Sequence, residues 1–225
     1  MKKLSGVTFD FDATLYSYPL MMTHLIGIFG KHVLLIYALT QARKKIREMG
    51  KVNVRKEQAK IISRKLKIPV YKAEKKIQSI VYEGWNTSFD NVRPYKGVFD
   101  VLDKLVRNNI PFSIVSDYPP EDKMKKMGFM KYPWKAIINC EENGLLKPSP
   151  EGFKIAMEAM HTLPNETLHV GDSLKYDIKG AKNAGMMSAW IKRGWKVPSR
   201  KIKPDYVFHS FPELEKLLED EFGLK

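Results

Sequence analysis

The chain has 225 residues, of which 44% are hydrophobic and 28% are charged, and its formal net charge is +14. These values are typical of folded globular proteins and exclude a wholly disordered chain, and the length allows one core or a core with a smaller second domain. The single cysteine, Cys140, excludes an internal disulfide framework and predicts a reducing, cytoplasmic location. Asp10 and Asp12 interrupt the apolar run near the N terminus, so we expect no secretion signal.

The positive charge is concentrated in one segment of the chain. Residues 16–93 contain 16 Lys and Arg against 5 Asp and Glu, whereas the remainder contains 23 against 20. A basic segment attracts anions such as phosphorylated metabolites, nucleic acid or an acidic membrane surface, but a solvated helical face has the same composition. Charge alone therefore leaves these interpretations open.

The stretch KKLSGVTFDFD predicts a short strand near the N terminus, because Val7, Phe9 and Phe11 recur at every second position. After it, up to about residue 85, the patterns are helical. We predict one helix over residues 20–49, a second that follows Asn53, and a third over YKAEKKIQSIVYEGW, with breaks at MGKVN and KIPVY. This part of the chain therefore predicts no further strand.

From residue 94 onward, predicted strands alternate with predicted helices. The strands are PFSIVSD, AIINCE, TLHVGDS, MSAWIK and YVFHS. Such alternation indicates right-handed crossovers and a parallel sheet with helices on both faces. The sequence therefore predicts an α/β fold, with a Rossmann-like doubly wound parallel sheet as the core domain (residues 1–15 and 94–225) and an inserted all-helical cap domain (residues 16–93).

Residues 20–42 form an apolar stretch long enough to span a bilayer, which takes about 20 residues. Lys31 lies near its middle, where a charge costs roughly 3 kcal/mol on insertion scales, and His24 and His32 add further polar groups. A spanning helix would also separate the first strand from the rest of its sheet. We therefore expect no transmembrane span, while peripheral membrane contact through this helix and its basic neighbours RKKIRE stays open.

Polar side chains follow several predicted strands, and parallel strands end at a common edge where ligands bind. In chain order these residues, with one lysine from a loop, are Asp10, Asp12, Ser116, Lys147, Asp172 and Asp177. Carboxylates brought this close repel one another unless a hard cation neutralises them, and oxygen ligands of this kind suit Mg²⁺. The hydroxyl and the ammonium could donate to a phosphoryl group. The set therefore suits phosphoryl transfer through an aspartyl intermediate.

Four strings, DFDATL, SIVSD, LKPSP and GDSLKYDIKGAKNAGM, resemble the four motifs of the haloacid dehalogenase superfamily, whose members are mostly phosphatases. They occur in the family's order and at fitting separations. The resemblance covers the predicted α/β core, and residues 16–93 agree with it only by being helical where the family carries a cap.

The resemblance implies a role for each matching residue. Asp10 would be the nucleophile that becomes the aspartyl-phosphate, and Asp12 would protonate the leaving group and then activate the hydrolytic water. Ser116 would hydrogen-bond the transferring phosphoryl group, and Lys147 would neutralise charge on the nucleophile and the phosphate. Taken alone, Ser116 also fits a turn cap and Lys147 a surface lysine.

The resemblance also implies a magnesium site. Asp172 would ligate Mg²⁺ together with Asp10 and the main-chain carbonyl of Asp12, and Asp177 would support the site from nearby. Taken alone, Asp177 also fits an ordinary residue in the first turn of a helix, where a negative charge is favourable.

Three positions refine the resemblance. Asp12 favours phosphate esters over carbon–halogen bonds, because an alkoxide leaving group needs a proton and the family's dehalogenases lack this acid. Ala13 replaces the usual glycine, and a positive φ there would mean strain. Asp117 stands where the family often has asparagine, and we expect it to point away from the phosphate or to contact the cap.

We predict a Mg²⁺-dependent phosphatase that hydrolyses a small phosphorylated metabolite through an aspartyl-phosphate. One alternative is a phosphomutase of the same superfamily, and another is a non-catalytic protein whose basic cap binds nucleic acid or an anionic membrane. We expect no nucleic-acid binding, because no such motif is present and Tyr71, Tyr82 and Trp85 fit core positions. The candidate substrate contacts in the cap are His24, Lys31 and His32.

Overall fold

A parallel six-stranded sheet forms the centre of the structure. The structure is a computed structural model, and it describes residues 2–17, 30–87, 89, 92–194 and 201–225. The strands are β1 (Gly6–Phe9), β2 (Phe112–Ser116), β3 (Ile137–Asn139), β4 (Thr167–Gly171), β5 (Met187–Ile191) and β6 (Tyr206–Phe208). Their order in the sheet is β3-β2-β1-β4-β5-β6.

The first strand lies at the centre of the sheet, between β2 and β4. Phe9 pairs with Ile114 of β2 on one side and with Val170 of β4 on the other. Every residue of these three strands is buried, as expected of parallel strands covered on both faces. The strand order changes direction at β1, and open α/β sheets carry their ligand crevice at such a point.

Helices connect the strands and fill the chain between β1 and β2. They are α1 (Val33–Ile46), α2 (Val54–Leu66), α3 (Val70–Lys76), α4 (Gly84–Thr87), α5 (Val98–Arg107), α6 (Glu121–Lys126), α7 (Glu151–Met160), α8 (Lys179–Asn183) and α9 (Phe211–Phe222). Two π-helical stretches, Ile77–Glu83 and Leu174–Ile178, lead into α4 and α8.

The helices of residues 30–87, here called the helical segment, pack on one another, α1 on α2 and α2 on α3. One stripe of α1 is buried, because Leu35, Leu39 and Ala42 recur at three- and four-residue spacing. The side chain of Asn53 caps α2 by accepting a hydrogen bond from the main chain of its first turn. Amphipathic spacing and a helix cap thus account for the segment's local structure.

The two ends of the connection that holds the helical segment lie side by side. Tyr16 and Pro94 form an antiparallel bridge, and the Tyr95 amide donates to the Leu15 carbonyl at 3.0 Å. The chain therefore leaves and re-enters the core at one place, next to the carboxyl end of β1. This geometry agrees with an insertion, and the domain boundaries at residues 15/16 and 93/94 stay a prediction.

The predicted fold class is confirmed, because the core is a parallel α/β sheet and every strand predicted in residues 94–225 is present. The predicted helix over residues 20–49 is described from residue 30 only, where α1 covers Val33–Ile46. Its first part lies outside the described residues.

No helix in the part of the chain that the structure describes is long and apolar enough to cross a membrane. The apolar stretch of residues 20–42 falls within that part only from residue 30 onward.

Candidate active site

The proposed nucleophile, Asp10, directly follows β1 and is 5% exposed. The Thr14 hydroxyl donates to Asp10 Oδ2 at 2.7 Å, and the Lys147 ammonium donates to Asp10 Oδ1 at 2.6 Å. A carboxylate oxygen has two lone pairs, so each oxygen keeps one that can react. The two contacts hold the carboxylate in one orientation without blocking it.

Lys147 joins the two sides of the site. Its ammonium also donates to Asp177 Oδ1 at 2.6 Å and to the Val115 carbonyl at 3.1 Å. With Asp10, these contacts use all three donors of an ammonium group. Lys147 is almost completely buried, so its interpretation as a surface lysine is wrong.

Asp177 approaches the end of β4 closely because residue 171 is glycine. A Cβ on Gly171 would lie 2.4 Å from Asp177 Cβ, which is closer than side chains tolerate. Asp177 Oδ2 accepts from the Ser173 amide at 2.8 Å. His169 lies beside it, with Nε2 at 3.8 Å from Asp177 Oδ1 and Nδ1 at 2.9 Å from the Thr8 hydroxyl. Asp177 is therefore a buried, fixed carboxylate and not an ordinary first-turn residue.

The cluster is acidic, since three carboxyl groups lie close to one another and the ammonium of Lys147 pairs with two of them. Burial raises the pKa of Asp10, and the carboxylates of Asp177 and Asp172 add to this effect against the pull of Lys147. Burial also disfavours charge on Asp177, but Lys147 and His169 outweigh it and lower the pKa of Asp177. Burial opposes the charge of Lys147 as well, yet Asp10 and Asp177 raise the pKa of Lys147.

The carboxylates have the chemistry of a magnesium site. Oxygens of Asp10, Asp172 and Asp177 lie within 4.8 Å of one another, and hard oxygen ligands are the ones that Mg²⁺ prefers. A divalent cation would also offset the repulsion among these carboxylates. The residues present therefore fit Mg²⁺. Asp12 is predicted to contribute only its main-chain carbonyl, and its side chain is directed elsewhere.

The Asp12 carboxylate contacts a buried lysine and a tyrosine. Its Oδ1 accepts from the Tyr16 hydroxyl at 2.6 Å and from Lys123 Nζ at 2.5 Å, and its Oδ2 accepts from Lys123 Nζ at 2.7 Å. Lys123 belongs to α6 and is 2% exposed. Asp12 nevertheless lines the same cleft as Asp10. Asp10 and Asp12 thus line the same cleft, but their carboxylates have different hydrogen-bond partners.

Ser116 lies fully buried at the end of β2 and forms part of a turn. Its hydroxyl donates to the Tyr118 carbonyl at 2.8 Å, and the Tyr118 amide lies 3.3 Å from the same oxygen. A hydroxyl has one proton, so donation to a phosphoryl group would require it to rotate. The turn-cap interpretation describes this geometry, and the phosphoryl contact of Ser116 stays a prediction.

Asp117 contacts the helical segment, as the sequence led us to expect. Its Oδ2 pairs with Arg47 at 2.5 Å, and its Oδ1 accepts from the Lys147 amide at 2.9 Å. Arg47 also donates to the Lys147 carbonyl at 2.6 Å and lies over the Tyr176 ring at 4.1 Å. Arg47, at the end of α1, therefore joins the loops that follow β2, β3 and β4.

A second group of buried ionic contacts joins the helical segment to the core. Arg43 Nη1 lies 2.6 Å from Glu141 Oε2, and both side chains are almost completely buried. Arg55 donates to the other carboxylate oxygen at 2.8 Å, and the Tyr82 hydroxyl lies within 2.8 Å of both oxygens. We call Glu141, Arg43, Arg55 and Tyr82 the Glu141 network.

These groups surround a cleft of about 260 Å³. Its lining residues are Asp10, Asp12, Thr40, Arg43, Arg47, Asp117, Tyr118, Lys147, Asp172, Ser173, Tyr176 and Asp177. A larger cavity of about 670 Å³ lies in the helical segment, lined by Gln78 and Glu83 among others. The smaller cleft is the candidate active site because it contains the carboxylate cluster.

Several cleft residues from the helical segment, Thr40, Arg43 and Arg47, were not predicted from the sequence. The string RKKIR places Arg43 and Arg47 four residues apart, on one face of a helix, and this spacing was a usable signal. From the sequence we considered the string RKKIRE only for peripheral membrane contact, which stayed open. The two arginines instead bind core groups, while Lys44 and Lys45 between them are exposed.

The candidate substrate contacts Lys31 and His32 lie far from the cleft. They precede α1, in which Val33 lies seven residues, and therefore about 10 Å along the helix axis, from the cleft residue Thr40. Both line a different cavity. We do not retain them as substrate contacts, and His24 lies outside the described residues.

The aromatic residues of the helical segment have different environments. Tyr82 is partly buried, packs against the core and contacts Glu141, which confirms its assignment to a core position. Tyr71 is 56% exposed, so the same assignment is wrong for it. The side chain of Trp85 lies outside the described part of the chain.

Ala13 has a φ of 64°, in the left-handed region that favours glycine. Its Cβ makes this conformation unfavourable by roughly 1 kcal/mol. The turn that follows Asp12 is therefore strained, which is the outcome that a positive φ was expected to indicate.

Two curated relatives of this chain are named as phosphatases. The chain is 32% identical over 143 residues to a glyceraldehyde 3-phosphate phosphatase of Pyrococcus furiosus, with 61% of this chain and 60% of the relative covered. It is 33% identical over 129 residues to the pyrophosphatase PpaX of Halalkalibacterium halodurans, with 55% and 59% covered. The chain thus spans about 60% of the length of these curated relatives.

Solved structures share the fold over nearly the whole chain. A HAD phosphatase from Thermococcus onnurineus superposes with a TM-score of 0.65 at 23% identity, covering 96% of this chain and 98% of the other. An L-2-haloacid dehalogenase from Xanthobacter autotrophicus gives 0.72 at 16% identity, with 96% and 98% covered. The family model for haloacid dehalogenase-like hydrolases matches residues 7–191. The chain therefore belongs to the haloacid dehalogenase-like hydrolase family.

Proposed function

We propose that this protein is a Mg²⁺-dependent phosphatase that hydrolyses a small phosphorylated metabolite through an aspartyl-phosphate on Asp10. The observation that carries the proposal is the buried Asp10 carboxylate, held by Thr14 and Lys147 in a cleft with two further carboxylates. A cleft of about 260 Å³ suits a small substrate. The named phosphatases among the curated relatives support the same chemistry.

The reaction would proceed in two steps. An oxygen of Asp10 would attack phosphorus while the bond from phosphorus to the leaving oxygen breaks, and Asp12 would give that oxygen a proton. Asp12 would then take a proton from water as the water attacks the aspartyl-phosphate. The products are an alcohol and inorganic phosphate, and both aspartates return to their starting states.

Basic groups around the cleft would bind the charge of the phosphoryl oxygens. Lys147 already contacts Asp10, and Arg47 lies across the same cleft. Asp10, Asp172 and the main-chain carbonyl of Asp12 would hold Mg²⁺, with Asp177 nearby. Bound Mg²⁺ would neutralise phosphoryl charge and favour the ionised form of Asp10.

Asp12 distinguishes this proposal from dehalogenation, although dehalogenases are among the structures that share the fold. A halide leaves without a proton, whereas an alkoxide requires one. An acid that lines the cleft beside the nucleophile is therefore useful for a phosphate ester. Glyceraldehyde 3-phosphate and pyrophosphate are the first substrates to test, because two curated relatives are named for them.

The test is phosphate release from a panel of phosphorylated metabolites that contains these two compounds. We expect the wild-type protein to release phosphate with Mg²⁺ and to stop when EDTA is added. Asp10→Asn should abolish release, because the amide cannot act as the nucleophile. Asp220→Asn, at an exposed aspartate of α9, is the matched control and should keep the wild-type rate. Activity that persists in Asp10→Asn, or without Mg²⁺, would contradict the mechanism.

Two alternatives remain as predictions to be tested. A phosphomutase would return the phosphoryl group to a substrate, so stoichiometric release of inorganic phosphate separates it from a phosphatase. A binding role for the basic helical segment predicts steeply salt-dependent binding of DNA or RNA, or co-sedimentation with anionic liposomes.

A thiol nucleophile is not an alternative, because Cys140 is buried and burial raises the pKa of its thiol. The cytoplasmic location also stays a prediction.

A further inference from the structure

The Asp12 carboxylate is held by two buried side chains that have no role in the steps above. Lys123 donates to both of its oxygens, and Tyr16 donates to one of them. Lys123 comes from α6, far along the chain, whereas Tyr16 follows Asp12 by four residues. Two separate parts of the fold therefore converge on this one carboxylate.

The surroundings of Lys123 are aromatic. Its ammonium lies 5.4 Å from the ring centroid of Phe11 and 5.7 Å from that of Phe89, and the Tyr16 ring packs edge-on against Phe89. A buried ion pair adds little stability over apolar residues of the same volume, because both charges lose their hydration. The presence of a lysine among these rings is therefore poorly explained by stability alone.

The position of Asp12 explains why such a pair would be useful. Asp12 lines the same cleft as Asp10, Asp172 and Asp177, whose oxygens form the cluster suited to a cation. A divalent cation there attracts any carboxylate within reach. Contact with Lys123 holds the Asp12 carboxylate outside that cluster, against a lysine that lines a neighbouring cavity of about 160 Å³.

We propose that Lys123 and Tyr16 are positioning residues that keep the Asp12 carboxylate on the leaving-group side of the cleft and away from the cation. This inference rests on the proposed function, in which Asp12 gives the leaving oxygen its proton. Neither residue is among those that line the cleft, and both act through Asp12. Without them, Asp12 turns toward the cation and no longer reaches the leaving oxygen.

The first test compares two substrates that differ in their need for a proton. An alkyl phosphate leaves as a basic alkoxide and needs one, whereas 2,4-dinitrophenyl phosphate leaves as a stable anion and does not. Lys123→Met should lower kcat/KM, which reports transfer of the phosphoryl group to Asp10, about 100-fold on the alkyl ester, a typical effect of losing a general acid, but less than about threefold on the dinitrophenyl ester. Tyr16→Phe, which keeps the lysine, should show the same pattern with roughly a fivefold loss on the alkyl ester.

A second readout needs no substrate and no turnover. Isothermal titration of Mg²⁺ into Lys123→Met should show tighter binding than wild type, by about tenfold, because the released Asp12 carboxylate can add to the cation site. Loss of a purely structural lysine would leave the affinity unchanged or weaken it.

Lys125→Met is the matched control, since Lys125 is an exposed lysine on the same helix. It should leave both rates and the Mg²⁺ affinity at wild-type values. Equal losses of kcat/KM on the two esters, or unchanged Mg²⁺ binding in Lys123→Met, would overturn the positioning role while the wild-type phosphatase activity stands. A wild-type protein that hydrolyses no phosphate ester would overturn the proposed function and this inference together.

Discussion

Two buried ionic clusters in this protein differ in which charge is in excess. At the end of β1, Asp10 and Asp177 both pair with the ammonium of Lys147, and an oxygen of Asp172 lies within 4.8 Å of theirs. In the Glu141 network, one carboxylate receives two arginines and a tyrosine. The first cluster lacks positive charge and fits a cation, whereas the carboxylate of the second already has its partners. Buried charge therefore does not by itself identify a ligand site. In this protein, the excess of carboxylates distinguishes the candidate cation site from the Glu141 network.

The largest expected effect comes from removing the ammonium that pairs with Asp10 and Asp177 in the first cluster. Lys147→Met should lower kcat on a phosphate ester by about 10³-fold, because a buried donor to the reacting groups is lost. Steady-state kinetics at saturating Mg²⁺ measures it. Lys104→Met is the control, since Lys104 is also buried but pairs with Glu215 and Glu219 away from the cleft. A similar loss of kcat in the control would show that the effect is not specific to the acidic cluster.

The second cluster can be broken with Glu141→Gln. Arg43 would remain buried without its carboxylate, so we expect the free energy of unfolding to fall by about 3 kcal/mol and Tm by roughly 6–12 °C. Thermal unfolding with and without Mg²⁺ measures the change. Glu142→Gln, at the exposed neighbouring residue, should have little effect. If Mg²⁺ restored the Tm of Glu141→Gln, the proposed difference between the clusters would be wrong.

The pH dependence of stability tests the excess of negative charge. The pKa of Asp10 is raised in the folded protein, so folded Asp10 keeps its proton at pH values where the unfolded chain has released it. The free energy of unfolding therefore falls as the pH rises above the ordinary aspartate range. The slope from Asp10 is up to about 1.4 kcal/mol per pH unit. Asp177, with a lowered pKa, contributes in the opposite direction only below about pH 4.

This prediction is measured as Tm in EDTA between pH 5 and pH 7, for the wild type and for Asp10→Asn. His169 has a pKa lowered by burial and acts in the opposite direction in this window, so only the difference between the two proteins reports on Asp10. We expect the wild type to lose Tm relative to the variant as the pH rises, and Mg²⁺ to remove that loss. Parallel curves for both proteins would contradict a raised pKa of Asp10.

The smallest expected effect concerns the strained turn beside the acidic cluster. Ala13→Gly should raise the free energy of unfolding by about 1 kcal/mol and Tm by about 2–4 °C, because glycine adopts a positive φ without strain. Ala38→Gly, in the middle of α1, is the control and should lower stability by a similar amount. A lower Tm in Ala13→Gly would mean that the alanine methyl group contributes packing that outweighs the strain.

Much of the fold was predictable because its signals are local. Alternating and continuous apolar runs indicated each strand of the core, and helical spacing indicated the elements between them. The exposure of Tyr71 was not predictable, because helical spacing alone does not tell which of several faces meets a neighbour.

The candidate site was predictable only in part. The motif residues that follow strands, such as Asp10 and Asp172, could be found because parallel strands end at one edge. Lys123 could not, since it lies in the lysine-rich string EDKMKK, where nothing separates it from the exposed Lys125. Arg43 and Arg47 were visible as a pair, but the surface they face depends on how α1 packs against the core.

The sequence by itself determined the fold class, the family resemblance and the acidic residues at the ends of β1 and β4, because each depends on neighbours in the chain or on short strings. Only the tertiary structure decided which charges are balanced. Lys147 between Asp10 and Asp177, Lys123 against Asp12, and the Glu141 network all join residues more than 25 positions apart. The burial of these residues and the balance of their charges depend on how distant parts of the chain pack, and no local sequence pattern predicts either property.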